Sequence, residues 1–407
     1  MSNREAPRTL TVSQYLEARR VLMDPLTFSS ARPLTTMTDG LGYSFVLFCQ
    51  DPPEHGRLRM LIQREFISSR MQALRGWIES EVDTLMDAYS GVPAAVDIVA
   101  TLTLPLPMRV INRLLGVNEA DSQAFKHWTA QAVGHQDGGM PAVLGRRAFV
   151  ELHKFFRGQI QAQREQPTDG LIGHLLTRCA NELELINFCV TLMIAGNETT
   201  ASLLSNLLHL LAIRPALWSA LREDRSIIGS VIDEALRVDP PVQFVSRLVS
   251  RPVVVEGVPL KSGDTVLVDI GAANRDPAFF AEPDMFNPAR REKCHLAFSH
   301  GIHYCIGAGL TRLEAEIVLN RMLDRYAAIA ALGGGAKVAK ADTLKGRYFV
   351  GCGKMDFALK GAKALHASLE EAKVPVTLKE YEDIEHLLIV REAAADVLNF
   401  FEESRPK

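Results

Sequence analysis

The chain has 407 residues, of which 47% are hydrophobic and 23% charged, and its formal net charge is −3. This composition is ordinary for a globular protein and excludes collagen-like, disordered and disulfide-scaffold classes. The six cysteines contain no C-x-x-C pair, which favours a reducing compartment. With no bulk positive charge and no secretory signal, the sequence predicts a cytoplasmic protein with no nucleic-acid partner and no membrane anchor.

The first 240 residues or so are predicted to be mainly helical. The longest apolar stretch is interrupted by Asn197, Glu198, Asn206 and His209, so it predicts a buried helix rather than a membrane span. Apolar residues recur every three or four positions in five segments, which are 71–89, 107–116, 148–163, 184–213 and 227–237.

The pattern changes after these helices. Residues 244–270 are rich in β-branched side chains and in Gly and Pro turns, which predicts a small hairpin sheet. A helix is predicted from just after Gly307 to about Tyr326. Beyond a Gly/Lys-rich joint at 331–345, the predicted elements are strands at 348–351 and 376–382 and helices at about 359–372 and 390–402.

The densest chemistry lies in Phe298-Ser-His-Gly-Ile-His-Tyr-Cys-Ile-Gly-Ala-Gly-Leu. Cys305 precedes a predicted helix N-terminus, where free backbone N–H groups and the helix dipole favour a thiolate. Gly301 and Gly307 allow the backbone to approach a flat ligand closely. Cys305 is therefore a candidate axial ligand of an iron.

Two alternatives exist for Cys305. Most cysteines of this kind are simply buried free thiols. A zinc site is less favoured, because the spacing is not that of known zinc sites. Its ligands would come from Cys294, His295, His300, His303 and Cys305.

The same segment resembles the haem-binding signature of the cytochrome P450 family, F-x-x-G-x-H-x-C-x-G, with Ser299 where the family usually has Gly. The resemblance extends from about residue 11 to residue 326 and implies the soluble, bacterial-type branch. It implies a mainly α fold with small β-sheets, truncated at both ends and followed by a short α/β tail. Further motifs match in the family's order, at 51–59 (haem-edge helix), 195–200 (oxygen-activation helix), 234–237 (E-x-x-R), 274–277 and 286–290.

The resemblance implies roles for individual residues. Cys305 would be the axial ligand of a haem b iron. His55 and Arg59 would help to bind the haem propionates, although at i and i+4 they would also suit a solvated helix face. The full implied haem-binding set is His55, Arg59, Arg247, His303, Phe298, Gly301, Gly307, Ala195 and Gly196.

The implied catalytic residues are Thr199 and Glu198. Thr199 would donate a hydrogen bond to dioxygen, and Glu198 would bring protons from solvent. The alternative is a core helix that is bent by a bond from Thr199 to its own backbone.

Two further groups are implied by the same resemblance. Glu234, Arg237 and Arg290 would form a buried charge network with a structural role. An apolar substrate pocket would be lined by Val242, Phe244 and Val245, with Val190, Met193 and Ile194 as further candidates or as plain core.

The domain expectation has three parts. Residues 1–330 would form a haem-binding monooxygenase domain that lacks the usual N-terminal helix and strands and the usual C-terminal hairpin. Residues 331–345 would be a joint, and 346–407 resembles the end of an α/β-hydrolase, with Asp356 and His386 in the acid and histidine positions. Because no G-x-S-x-G nucleophile is present, we expect this tail to be non-catalytic.

The resulting expectation is an enzyme that inserts one oxygen atom of O2 into a small apolar organic substrate. No flavin or nicotinamide signature is visible, so a separate ferredoxin- or flavodoxin-type donor would supply electrons to a basic face that includes Arg57, Arg64, Lys293 and Arg312. The alternatives are a haem-binding but impaired or vestigial fusion protein and, less favoured, an esterase that uses the tail.

Overall fold

The fold was analysed in a computed structural model of the whole chain. The structure describes residues 7–31, 47–88, 96–117, 142–329, 348–353 and 376–381. The predicted joint, the two predicted C-terminal helices, Asp356 and His386 lie outside the described residues.

The chain is mainly helical, as the sequence predicts. In the described ranges the α-helices are α1 (Tyr15–Met23), α2 (Glu54–Ile62), α3 (Ser68–Asp87), α4 (Pro105–Leu115), α5 (Ala142–Glu165), α6 (Leu171–Leu175), α7 (Glu182–Ala212), α8 (Pro215–Glu223), α9 (Ile228–Val238), α10 (Ile270–Ala273) and α11 (Ala308–Arg325). All five long segments predicted from periodicity are confirmed. The periodicity did not predict α1 and α8, because nine residues hold too few apolar repeats.

Local chemistry sets the ends of the central helices. The side chain of Asn181 accepts a hydrogen bond from the Glu184 N–H at 2.9 Å and caps the start of α7. Pro105 opens α4, and Gly116 closes it in the left-handed conformation with φ 79°. The 31-residue α7 then packs against α4, α5, α9 and α11 within the larger of two apolar cores.

The predicted hairpin sheet divides into two sheets. β4 (Val253–Val255) and β5 (Val258–Leu260) form a hairpin whose turn, Glu256-Gly257, has positive φ at both residues. The strands on either side of it leave the hairpin and join two strands from the N-terminal part of the chain. The resulting sheet has the order β1-β6-β3-β2, with β1 (Thr9–Val12), β2 (Phe28–Ser29), β3 (Phe244–Val249) and β6 (Thr265–Asp269).

The pairing within this sheet is mixed. β1 is parallel to β6, and the other pairs are antiparallel. The sheet covers the smaller apolar core together with α1. In the tail, β7 (Tyr348–Gly353) and β8 (Val376–Tyr381) confirm the predicted strands and pair in parallel.

Among the helices of the described residues, none combines the length and the apolarity that crossing a membrane requires.

A buried charge network ties α9 to the loop that follows α10. Glu234 accepts hydrogen bonds from Arg237 at 2.8 and 2.9 Å, from Arg290 at 3.3 Å and from the Asn287 N–H at 2.8 Å. Arg237 also donates to the carbonyl of Asn274 at 2.9 Å. The three charged side chains are at most 5% exposed. The network therefore holds the long loop that leads towards Cys305.

We predict that Glu234→Gln lowers the free energy of unfolding by about 3–5 kcal/mol, because two buried guanidinium groups lose their counterion. Urea unfolding monitored by circular dichroism measures the change. The matched control is Glu316→Gln, whose partly exposed pair with Arg75 contributes less than about 1 kcal/mol. If both variants lost the same unfolding free energy, the buried network would contribute no more stability than the partly exposed pair.

Candidate functional site

Cys305 lies in the loop between a 3-10 turn (Gly301–His303) and α11. Its backbone N–H donates to the Phe298 carbonyl at 2.9 Å, which closes the loop. Cys305 is exposed as a residue, but burial of the thiol among the surrounding atoms raises its pKa, while the N–H groups of Gly307 and Ala308 lower it. The loop therefore aims backbone donors at the sulfur, as a site for a sulfur anion requires.

Two residues of this loop adopt the left-handed conformation. Gly301 has φ 69°, and a Cβ there would lie 2.8 Å from the Leu22 carbonyl at the end of α1. Ser299 has φ 61°, and its buried hydroxyl has no hydrogen-bond partner. This conformation explains why glycine suits the position better than serine.

Arg312 covers the outer side of the loop. Its guanidinium lies 4.5 Å from the centre of the Phe298 ring, donates to Asp233 at 2.9 Å and bonds with Tyr304. A positive charge is therefore fixed near Cys305, where it lowers the thiol pKa.

Four cationic or potentially cationic side chains gather beside the loop. The rings of His55 and His303 are 4.4 Å apart, Arg59 donates to the Ile302 carbonyl at 3.2 Å, and Arg247 acts electrostatically on His303. His55 is only 3% exposed, so the solvated-face alternative for α2 is wrong at this residue.

The electrostatics of this group show an excess of positive charge. Burial, followed by the charges of Arg247, His55 and Arg59, lowers the pKa of His303 to about 3. Burial, followed by Arg59, also lowers the pKa of His55, whose Nε2 is buried without a partner. A buried group that is rich in cations and holds an unused ring nitrogen fits a ligand with carboxylates. A haem, with its two propionates beside a cysteine sulfur, meets that requirement.

Two polar residues that contact the histidine and arginine group, or support it, were not predicted from the sequence. Asp51 accepts a hydrogen bond from Ser29 Oγ and, at 2.8 Å, from the Ser30 N–H, and Ser30 Oγ lies 2.9 Å from His303 Nε2. Asp51 lies within a matched motif, but no sequence signal connects Ser30 with a residue 273 positions away.

On α7, Ala195, Gly196, Glu198 and Thr199 are half-buried, and they follow the fully buried stretch 185–194. Thr199 Oγ1 donates to the Ala195 carbonyl at 2.7 Å, which is the backbone bond that the alternative interpretation describes. Beside Gly196, a Cβ would lie 2.8 Å from Ile111 Cδ1. The small size of Gly196 therefore allows α4 to pack against α7, and the space on that side is not open to a ligand.

The candidate pocket residues fall into two groups. Val242 and Phe244 are 37% and 51% exposed, and Val245 is half-buried. The second group belongs to the larger apolar core, as expected if these residues are plain core; it consists of Val190, Met193 and Ile194.

The zinc alternative finds no support in the geometry. Among the described residues no three His, Cys, Asp or Glu side chains converge on a metal-sized position. His295 faces Asp233 at 3.6 Å, and His300 accepts from Arg19 at 3.2 Å, so these rings diverge.

The chain is similar to known proteins over most of its length. Residues 147–332 match the family model "Cytochrome P450". The chain is 37% identical to the cytochrome P450 monooxygenase PikC of Streptomyces venezuelae, covering 79% of each protein. It is 33% identical to the cyclomarin C epoxidase CymV of Salinispora arenicola, covering 80% of this chain and 85% of the relative.

Solved structures show the same similarity. CYP109E1 of Bacillus megaterium in complex with testosterone has a TM-score of 0.71 and 32% identity, covering 78% of this chain and 84% of that one. P450BioI in complex with a hexadec-9Z-enoic acid ligated acyl carrier protein has a TM-score of 0.73 and 31% identity, covering 77% and 84%. These matches give no support to the hydrolase resemblance of the tail.

We predict that Ser299→Gly raises the free energy of unfolding by about 1 kcal/mol, because glycine adopts φ 61° without strain and removes the unpaired hydroxyl. Thermal unfolding measures the effect. The control is Ser80→Gly in the middle of α3, which should destabilise by about 0.5–1 kcal/mol. A loss of stability at both positions would contradict the proposed strain.

Proposed function

Because the chain belongs to the cytochrome P450 family of haem-thiolate monooxygenases, we propose that Cys305 ligates the haem iron and that the enzyme inserts one oxygen atom of O2 into a small apolar organic substrate. The observation that carries this proposal is the Cys305 loop, in which two backbone N–H groups face a sulfur beside a buried cationic group. A thiolate-ligated haem iron supplies the cleavage of the O–O bond.

His55, Arg59, Arg247 and His303 are proposed to bind the propionates of haem b. These groups are buried or half-buried, and the acidic side chain that raises the pKa of both histidines is Asp51. One carboxylate does not balance two arginines, so further carboxylates, such as propionates, would be bound favourably. Burial, and then the neighbouring arginines, lower the pKa of both histidines, and two carboxylates would offset the positive charge of those arginines.

The other proposed haem contacts come from the loop and from α7. Phe298, Gly301 and Gly307 would line the face of the haem that bears the sulfur. A side chain at position 301 would collide with the end of α1, so glycine is required there. Ala195 would lie on the oxygen side. For Gly196 only its backbone is proposed to contribute, since Ile111 fills the space beside it.

Thr199 and Glu198 are proposed to manage protons. The Thr199 hydroxyl donates to the Ala195 carbonyl, so its oxygen lone pairs remain able to accept a hydrogen bond from a water, and that water would donate to the reacting oxygen. The Glu198 carboxylate lies next along α7, accepts from Asn197 at 3.4 Å and is half-buried, so it can exchange protons with solvent.

Val242, Phe244 and Val245 are proposed to contact the substrate. They present an apolar surface between α9 and β3, with Phe244 about half exposed. The relatives' names point to ligands of the same chemical class, since one solved structure contains testosterone and another a long-chain fatty acid on its carrier protein.

A separate ferredoxin- or flavodoxin-type protein is proposed to deliver electrons to the basic face. Part of that face is neutralised, because Arg57 pairs with Glu54 and Glu184, and Arg312 pairs with Asp233. The exposed Arg64 and Lys293, of which Lys293 donates to the neutral Ser230 hydroxyl at 2.8 Å, should therefore contribute most to docking. The domain division is also proposed: residues 1–330 form the haem domain, 331–345 a joint and 346–407 a tail that is non-catalytic because no G-x-S-x-G motif is present.

We predict that the reduced wild-type protein shows the strongly red-shifted Soret band of a thiolate-ligated haem with carbon monoxide, and that Cys305→Ala loses it. The absorbance spectrum measures this directly. Cys294→Ala, which removes a thiol eleven positions earlier, is the matched control and should keep the band. Retention of the shifted band in Cys305→Ala would refute the ligand assignment.

We predict that Thr199→Ala retains haem but lowers product formed per O2 consumed by about tenfold or more, with peroxide as the by-product, because the acceptor that positions a proton-donating water is lost. Oxygen uptake, peroxide and product are measured together. The control is Thr200→Ala, whose hydroxyl lies 3.4 Å from Thr311 of α11 and should matter little. Unchanged coupling in Thr199→Ala would rule out the proposed role.

A further inference from the structure

A hydrogen bond joins two distant parts of the chain beside Cys305. Ser30 directly follows β2, and its Oγ lies 2.9 Å from Nε2 of His303, in the 3-10 turn that precedes Cys305. Ser30 is 5% exposed. The bond is therefore sheltered, and it leaves His303 with Nδ1 as its one remaining ring nitrogen.

Asp51 holds Ser30 in place without occupying its hydroxyl. One Asp51 oxygen accepts from the Ser30 N–H at 2.8 Å, and the other accepts from Ser29 Oγ. Both carboxylate oxygens have donors of their own, which leaves the Ser30 hydroxyl proton available to His303; donation from Ser30 Oγ to His303 Nε2 is part of the inference drawn below. Asp51 thus positions Ser30, and it also acts electrostatically on His303.

The direction of the Ser30 hydrogen bond decides which nitrogen of His303 carries the ring proton. When a hydroxyl donates to Nε2, a neutral imidazole must carry its proton on Nδ1. The opposite neutral form would turn a bare lone pair on Nδ1 towards any carboxylate and repel it. A partner behind the ring can therefore decide whether a histidine binds an anion.

We propose that Ser30 is a positioning residue for haem, which fixes His303 as the Nδ1–H form so that this nitrogen donates to a propionate carboxylate. The inference rests on the proposed function, because it takes the carboxylates to be those of haem. Ser30 itself acts only through the His303 ring.

The first test compares Ser30→Ala with Ser29→Ala. Both substitutions remove a hydroxyl next to Asp51, but only Ser30 contacts His303. Transfer of haem from the ferric holoprotein to excess apomyoglobin should be about five- to tenfold faster in Ser30→Ala and within about twofold of wild type in Ser29→Ala. Ser30→Thr, which keeps the hydroxyl, should restore slow release.

The second test asks whether Ser30 acts through His303. In a His303→Gln background, adding Ser30→Ala should change the release rate by less than about twofold, since coupled residues are non-additive. If the two effects multiply as independent losses, the positioning role is overturned and Ser30 only supports the local fold.

The third test reads the ring proton itself. In the diamagnetic, carbon monoxide-bound ferrous holoprotein, the 15N chemical shifts of His303 should report Nδ1–H in wild type and a mixture of the two forms in Ser30→Ala. A wild type with the proton on Nε2 alone overturns the inference but not the proposed function. A wild type that binds no haem overturns both.

Discussion

Burial of positive charge beside a cysteine sulfur is the constraint on which the rest of the structure depends. His55 and Arg59 come from α2, Arg247 from β3 and His303 from the Cys305 loop, so three separate parts of the chain bring two arginines and two imidazole rings together. Buried groups of one sign repel each other and lose solvation. The lowered pKa values of His55 and His303 express first their burial and then the charges of the neighbouring arginines. A site that keeps such an arrangement is preorganised for an anionic ligand.

The surrounding framework supplies the rigidity for this arrangement. Glu234 and its two arginine partners compensate one another inside the protein and fix the loop after α10. The four-stranded sheet places β2 beside β3, which brings Ser30 and Arg247 to the same side of the cysteine loop. The Cys305 backbone is fixed in turn by its bond to Phe298. Each support is short-range, and together they define where the sulfur lies relative to the cations.

The central helix shows how packing and chemistry share one segment. Gly196 has no side chain, so Ile111 of α4 packs directly against its backbone, and the Thr199 hydroxyl donates to the Ala195 carbonyl one turn earlier. Both features weaken regular helical preference. They lie in a mostly half-buried segment, 195–199, of a helix that contributes many of its residues to the larger core. Thr199 can therefore be structurally satisfied and still present an oxygen to a reacting partner.

The sequence by itself determined the helical class, the five long helices, the tail strands, and the family with its thiolate-bound haem, because these follow from short-range periodicity and from motifs such as the cysteine box. The roles implied for individual site residues remain proposals. Tertiary structure alone decided how 244–270 divides between two sheets, since β1 and β2 come from more than 200 residues earlier. It also placed Ser30 against His303 and Ile111 against Gly196. Such contacts depend on three-dimensional packing between residues far apart in the chain, and no local pattern encodes them.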